Sequence, residues 1–294
     1  MNLGKFREKI QDREFVITCE AGPPKGTDID EMLEELDEIG YLVDAFNVTD
    51  QQSSVMRLGS LAVAHLIEDL GHETVYQLTC RDRNRIALQS DLLSAEVLGL
   101  ENVLALTGDY TNLGDHANAM PVFDLDSPQL LEVIGQLNSG VDMNGNELKG
   151  ATDLFPGASV NPGADPLEPQ ILKTKMKVEK GAEFFQTQAV YDSEVLKRYM
   201  EGLRDEGIDV PVLVGILPLK SAGMARFMNK NIAGVSVPDN VIELLEDSSD
   251  VVEASLEVCA RVIRETRDFC EGVHLMPMGW EEHMPELAEK SGIA

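Results

Sequence analysis

The sequence predicts an α/β fold, a single (β/α)8 TIM barrel formed by residues 1–294. Short apolar runs alternate with longer amphipathic ones from end to end, the pattern of repeated βα units that build a parallel sheet. The short runs number eight, which is the count at which such a sheet closes. No stretch rich in Pro, Gly or Ser divides the chain, so one large domain is expected.

Strands are expected at 15–19, 45–48, 75–78, 103–106, 155–160, 184–187, 212–216 and 273–276. Helices are expected between them at 30–39, 55–70, 85–98, 128–137, 168–180, 193–206 and 252–270. In the last helix Leu256, Cys259, Ala260, Ile263 and Cys270 recur at helical spacing, and Gly272 is expected as a left-handed cap just beyond it. Ser127 before Pro128 reads as an N-cap followed by proline in the first turn. Three stretches, 110–126, 139–153 and 232–250, exceed the minimal repeat. The first directly follows a strand, where barrels carry their active-site loops. The second follows a helix and is expected as a surface insertion nearer the opposite face.

Hydrophobic residues make up 43% of the chain, and no apolar run is long enough to span a membrane, so neither a transmembrane helix nor disorder is expected. The opening Met-Asn-Leu-Gly-Lys-Phe-Arg-Glu lacks an apolar signal core, and a cytoplasmic location is expected. A balance of 24 Lys+Arg against 52 Asp+Glu, net −28, repels nucleic-acid phosphates and anionic membranes, so neither is expected as a partner. A salt-rich cytoplasm and an ordinary acidic enzyme account for this charge equally well. Cys19, Cys80, Cys259 and Cys270 show no Cys-x-x-Cys pairing and no nearby histidine at ligand spacing, so no metal is expected and they read as reduced thiols.

Several strands end in polar groups. The first presents Glu20, followed by Ala21-Gly22-Pro23-Pro24, where proline cannot continue the ladder. A carboxylate is thereby left at the barrel mouth. Other strands end as Asn47-Val48-Thr49-Asp50, Gln77-Leu78-Thr79-Cys80, Leu106-Thr107-Gly108-Asp109 and Gln186-Thr187-Gln188. Buried unpaired polar groups are costly, so this convergence reads as a site. No Walker loop or G-x-G-x-x-G fingerprint is present. Lys173, Lys175, Lys177 and Lys180 form a basic run in an acidic chain, with Lys177 the candidate to reach a phosphate and the others coating a solvated helix face.

The segments Phe15-Val-Ile-Thr-Cys-Glu20-Ala-Gly-Pro-Pro24, Leu106-Thr-Gly-Asp109, Val178-Glu-Lys-Gly-Ala-Glu-Phe-Phe-Gln-Thr-Gln188 and Gly215-Ile-Leu-Pro218 resemble those of methylenetetrahydrofolate reductases. The blocks Pro121-Val-Phe-Asp-Leu-Asp126, Phe155-Pro-Gly-Ala158, Asn161-Pro-Gly-Ala-Asp165 and Gly272-Val-His-Leu-Met-Pro-Met-Gly-Trp280 are similar to the short bacterial reductases of anaerobic one-carbon metabolism. The resemblance implies a flavin, FAD or FMN, in the barrel mouth, with NAD(P)H or a protein electron donor as reductant. It implies a folate or related pterin as substrate, reduced from the methylene to the methyl level. Glu20 would be the general acid that opens the five-membered ring, Asp109 would face both flavin and pterin, and Gln188 would contact the pterin head group. Thr49, Gln77, Thr107, Gly108, Asp109, Ala158, Asn161, Asp165 and Lys177 would surround the flavin. A homo-oligomer is also implied, with an electron-transfer partner subunit as a further option.

Four positions depart from well-known relatives. Gln77 stands where a histidine is found, Thr107 where an arginine precedes Gly-Asp, Asn161 where an aromatic is frequent, and Trp280 where an arginine lies near the folate tail. FMN, FAD with altered contacts, and flavin-free hydride transfer from NAD(P)H therefore all stay open. A reading from another class is a non-catalytic or weakly catalytic folate- or flavin-binding subunit of a larger complex. The intact Glu20, Asp109 and Gln188 favour the enzyme.

Overall fold

Along a strand successive side chains face opposite sides, and this sequence uses the two sides differently. A computed structural model describes residues 5–232 and 234–294. Residues 1–4, part of the opening read for a signal core, and Ala233, in the third long stretch, lie outside the described residues. Eight strands, β1 (Val16–Ala21), β2 (Ala45–Val48), β3 (Thr74–Thr79), β4 (Asn102–Leu106), β5 (Phe155–Val160), β6 (Phe184–Ala189), β7 (Val212–Ile216) and β8 (Gly272–Leu275), follow one another around a closed barrel. Every pair is parallel, and Val16 opposite Gly272 closes the ring.

The inward residues form layers. The lowest is apolar: Val16, Ala45, Val75, Leu104, Phe155, Phe184 and Leu213 meet Phe6 and Ile10 of α1 (Lys5–Gln11). Phe6 meets Phe184 edge-on with ring centroids 5.2 Å apart, so α1 plugs the N-terminal end of the barrel. Two residues further along their strands, Thr18, Asn47, Gln77 and Gln186 form a buried polar layer. Two further again, the same period brings Glu20 and Gln188 to the mouth. The alternate residues, among them Ile17, Cys19, Phe46, Val48, Tyr76, Leu78 and Phe185, face outward and pack under the helices.

These helices are α2 (Asp30–Ile39), α3 (Ser60–Asp69), α4 (Arg85–Val97), α5 (Ser127–Asn138), α6 (Glu168–Glu179), α7 (Ser193–Asp205), α8 (Ala222–Asn231), α9 (Asp239–Asp247), α10 (Val251–Thr266) and α11 (Met284–Ser291). Of the eleven helices among the described residues, four, α1, α8, α9 and α11, fall outside the sequence expectation. α3 begins five residues later than expected, and α10 ends at Thr266, before Cys270. Gly272 is no cap. It lies in β8, where a Cβ would stand 2.2 Å from the Val16 carbonyl oxygen, so the close approach of β8 to β1 requires glycine. The N-cap of α5 is Asp126 instead of Ser127, because the Asp126 side chain accepts from Gln129 N while the Gln129 side chain returns to Asp126 N.

Residues 139–153 fold on themselves through an antiparallel bridge between Val141 and Glu147 before entering β5. α8 and α9 close a second apolar cluster with α10 and the segments after β6 and β7, through Tyr191, Leu217, Leu219, Met228, Val241 and Leu245. That cluster buttresses one side of the mouth. Among the described residues no helix is long and apolar enough to cross a membrane.

Candidate active site

The polar layer under the mouth is internally bonded. Asn47 Nδ2 donates to Gln186 Oε1 at 2.7 Å, and Gln186 Nε2 donates to Asn47 Oδ1 at 3.0 Å and to Thr18 Oγ1 at 3.1 Å. Thr18 Oγ1 lies 3.0 Å from His274 Nδ1, and His274 Nε2 lies 3.8 Å from Glu20 Oε1. Paired amides in a low-dielectric interior are rigid when satisfied, so β1, β2, β6 and β8 are locked together directly beneath Glu20. Sequence reasoning missed His274. The available signal was a titratable residue at an alternate position of a short apolar strand.

At the mouth Glu20, Gln77, Thr107, Gly108, Asp109, Lys177 and Gln188 line one cavity of about 420 Å³. The carboxylates of β1 and the β4 end and the amide of β6 thus share a single space. A second cavity of about 910 Å³ shares Thr107, Asp109, Lys177 and Gln188 with the first and runs outward past Asn161, Gln170, Lys173 and Phe227. Three of the expected residues line neither cavity: Thr49 and Ala158 are buried within the barrel wall, and Asp165 lies on the loop after β5. Gln170, on the first turns of α6, lines the outer cavity instead.

Gly108 turns the chain out of β4 with φ +92°, and a Cβ there would lie 3.0 Å from Arg81 Cβ. Glycine lets this turn settle over Arg81, a side chain that sequence reasoning missed and that is only 2% exposed. The guanidinium binds Asp82 through Nε and Nη2, and it donates to the carbonyls of Gln51 at 3.2 Å and Asp109 at 3.4 Å. Asp50 is likewise committed to structure. Its carboxylate accepts from Thr79 N and Oγ1 at 2.8 Å each and from Arg83 at 2.6 Å.

Glu20 accepts two bonds from Gln52 Nε2, at 3.3 and 3.2 Å. Across the cavity, Lys177 Nζ donates to the Ser159 carbonyl at 2.6 Å. Burial first, and the nearby Lys173 charge second, push this ammonium's pKa down to about 8 against the opposing charge of Asp126. All four cysteines are buried and unpaired.

The methylenetetrahydrofolate reductase family model matches residues 5–292. Among curated proteins, a probable methylenetetrahydrofolate reductase (NADPH) of Caenorhabditis elegans is 22% identical over 240 residues, covering 80% of this chain and 34% of that protein. The 5,10-methylenetetrahydrofolate reductase of Escherichia coli (strain K12) is 24% identical over 249 residues, covering 84% of this chain and 78% of that protein. The chain spans from about a third to a half of the length of the eukaryotic relatives it matches. Among solved structures, an uncharacterized protein from Clostridium thermocellum described as binding two copies of 5-methyl-5,6,7,8-tetrahydrofolic acid has a TM-score of 0.70 at 19% identity, with 98% of each chain covered. At that identity the likeness speaks for the fold. The family match runs from the plugging helix α1 through the whole barrel to α11, and on it this chain belongs to the methylenetetrahydrofolate reductase family.

Proposed function

We propose that this chain reduces the methylene group carried by tetrahydrofolate, or by a related pterin carrier, to the methyl level. The observation that carries the reading is the shared cavity of Glu20, Asp109 and Gln188 at the C-terminal mouth of the barrel, where barrel enzymes hold their chemistry. Family membership and the folate ligand of the similarly folded Clostridium thermocellum protein support the choice of substrate.

Glu20 is the general acid. Its proton goes to the bridging nitrogen of the imidazolidine ring, N10, so that ring opening leaves an electrophilic N5 iminium. Gln188, with one donor and one acceptor face, holds the pterin head group. Asp109 accepts from the pterin amino-amide edge. The amide pair of Asn47 and Gln186, with Thr18 and His274, keeps Glu20 seated at the rim.

The residues present suit a flavin nucleotide. The desolvated Lys177 ammonium faces the cavity, with the Gln77 amide and the Thr107 hydroxyl on its walls. Thr107, Gly108, Asn161 and Lys177 would hold this group, together with Gln77, and it would supply the hydride. NAD(P)H or an electron-carrier protein serves as reductant. Isolating the protein with its cofactor, bleaching the visible absorbance with NADH or dithionite, and following its recovery on adding methylenetetrahydrofolate tests the reading. Recovery with formation of methyltetrahydrofolate is expected. A protein that binds no folate removes the assignment.

A further inference from the structure

Glu20 stands on a partition. The 420 Å³ cavity and a neighbouring one of about 660 Å³, bounded also by Glu35, Arg57 and Glu281, share Glu20 and Gln52 as wall residues. Gln52 is exposed, whereas the Glu20 side chain is 12% exposed. An exposed amide ordinarily spends its hydrogen bonds on water and keeps its rotamer freedom. This one spans both oxygens of the carboxylate.

The backbone that aims it is strained and tied down. Gln51, Ser53 and Ser54 all adopt positive φ, at 51°, 54° and 59°, a region that costs non-glycine residues free energy and persists only where surroundings enforce it. Three ties enforce it here. The Gln51 side chain exchanges hydrogen bonds with the backbone of Arg57 in both directions, at 3.0 and 2.8 Å. Arg81 donates to the Gln51 carbonyl. Gly114 sits so close to Ser54 that a Cβ there would meet its carbonyl oxygen at 1.7 Å. Strain held at the residues beside Gln52 fixes where its amide points.

We propose that Gln52 is a positioning residue for the general acid: the tied 51–54 loop presents its amide so that the Glu20 carboxyl stays turned into the folate cavity. Gln52 takes no part in proton transfer. The assignment rests on Glu20 being the acid, as argued under Proposed function. The rim side of Glu20 is held by Gln52 and the barrel side by His274, so removing the amide frees the carboxyl to turn towards the 660 Å³ cavity.

The test uses cofactor-loaded protein carrying Gln52→Ala, Glu20→Gln, or both. In Gln52→Ala, reoxidation by methylenetetrahydrofolate is expected to slow by about 10- to 100-fold, the cost of a misplaced catalytic group. Cofactor reduction by dithionite and the affinity for 5-methyltetrahydrofolate are expected to stay unchanged. In the Glu20→Gln background the second substitution is expected to add nothing, since a positioning residue has nothing left to position. A crystal structure of Gln52→Ala is expected to show the Glu20 carboxyl displaced. Unimpaired folate reoxidation in Gln52→Ala, or additive losses in the double variant, overturns the inference while leaving the function standing. Wild-type protein that neither binds 5-methyltetrahydrofolate nor is reoxidised by the methylene substrate overturns both.

Discussion

The Arg81 guanidinium lies 3.2 Å from the Gln51 carbonyl oxygen, joining the end of β3 to the loop that aims Gln52 at Glu20. Through its other nitrogen it also reaches the Asp109 carbonyl at 3.4 Å. One buried cation therefore sets the backbone beside both site carboxylates. Replacing it with methionine leaves two carbonyls without their donor, at a cost of about 2 to 4 kcal/mol. Lysine offers a point charge in place of a planar fork and should recover only part of that. Urea unfolding of Arg81→Met and Arg81→Lys measures the stability. Folate turnover in Arg81→Lys should fall by more than cofactor reduction does, and equal losses in the two half-reactions would remove the positioning role.

Glu20→Gln keeps the shape of the side chain and discards the transferable proton. General acid catalysis is worth about 10²- to 10⁴-fold, so folate-dependent reoxidation should fall by that factor. Cofactor reduction needs no such proton and should keep its rate. Rapid-mixing measurement of the two half-reactions separates these outcomes, and comparable folate turnover by the variant would strip Glu20 of its role.

Glu20 and Gln188 were legible in the sequence because the strand period fixes the mouth: counting inward positions from Val16 and Phe184 reaches them two steps later. The two prolines after Glu20 mark where pairing stops. Arg81 was not legible. It opens the run Arg81-Asp82-Arg83, which reads as solvated charge, and its burial comes from Gly108 and Gln51, neighbours distant in sequence. Phe6 and Ile10 are the buried apolar pair of a seven-residue helix, too short to display a period, so α1 escaped notice. The α5 cap was readable in principle, because Asp126-x-x-Gln129 completes a capping box whereas Ser127 has Leu130 three residues on. Thr49, Ala158 and Asp165 line neither cavity, because a position in a strand motif does not by itself say which side chains open onto the mouth.

Lys177 gives the cofactor site a pH dependence. Its ammonium has a pKa lowered to about 8 by burial, so the positive charge disappears as pH rises through that value. An anionic phosphate binds the protonated form and raises its pKa, so FMN or FAD affinity should hold below about pH 8 and weaken above it. A charge-assisted hydrogen bond contributes about 1.5 to 3 kcal/mol, which corresponds to a loss of about 10- to 100-fold in affinity. Lys177→Met should bind that much more weakly and show a flat profile over the same range. Fluorescence titration of apoprotein with each flavin measures this, and a wild-type profile that stays flat through pH 9 would take the phosphate contact away from Lys177.

Glu68 tests the same physics far from the mouth. Its Oε1 accepts from Thr74 N at 2.8 Å and Thr74 Oγ1 at 2.9 Å, yet burial outweighs these bonds and pushes the carboxyl up from 4.5 to about 7. Below pH 4.5 the group is protonated both folded and unfolded, and its contribution is fully present. Between 4.5 and 7 the folded chain keeps the proton that the unfolded chain has lost, so stability declines as pH rises. Glu68→Gln retains an oxygen acceptor for Thr74 and carries no charge at any pH, so it should lack this part of the decline. At pH 8 the variant should be more stable than wild type by about 1 to 2 kcal/mol, a figure discounted for the side chain's partial exposure. Urea unfolding of both proteins at pH 5, 6, 7 and 8 reads the difference directly. An advantage that shrinks as pH rises would mean that the folded carboxyl ionises more readily than the unfolded one, with its bonds to Thr74 outweighing its burial.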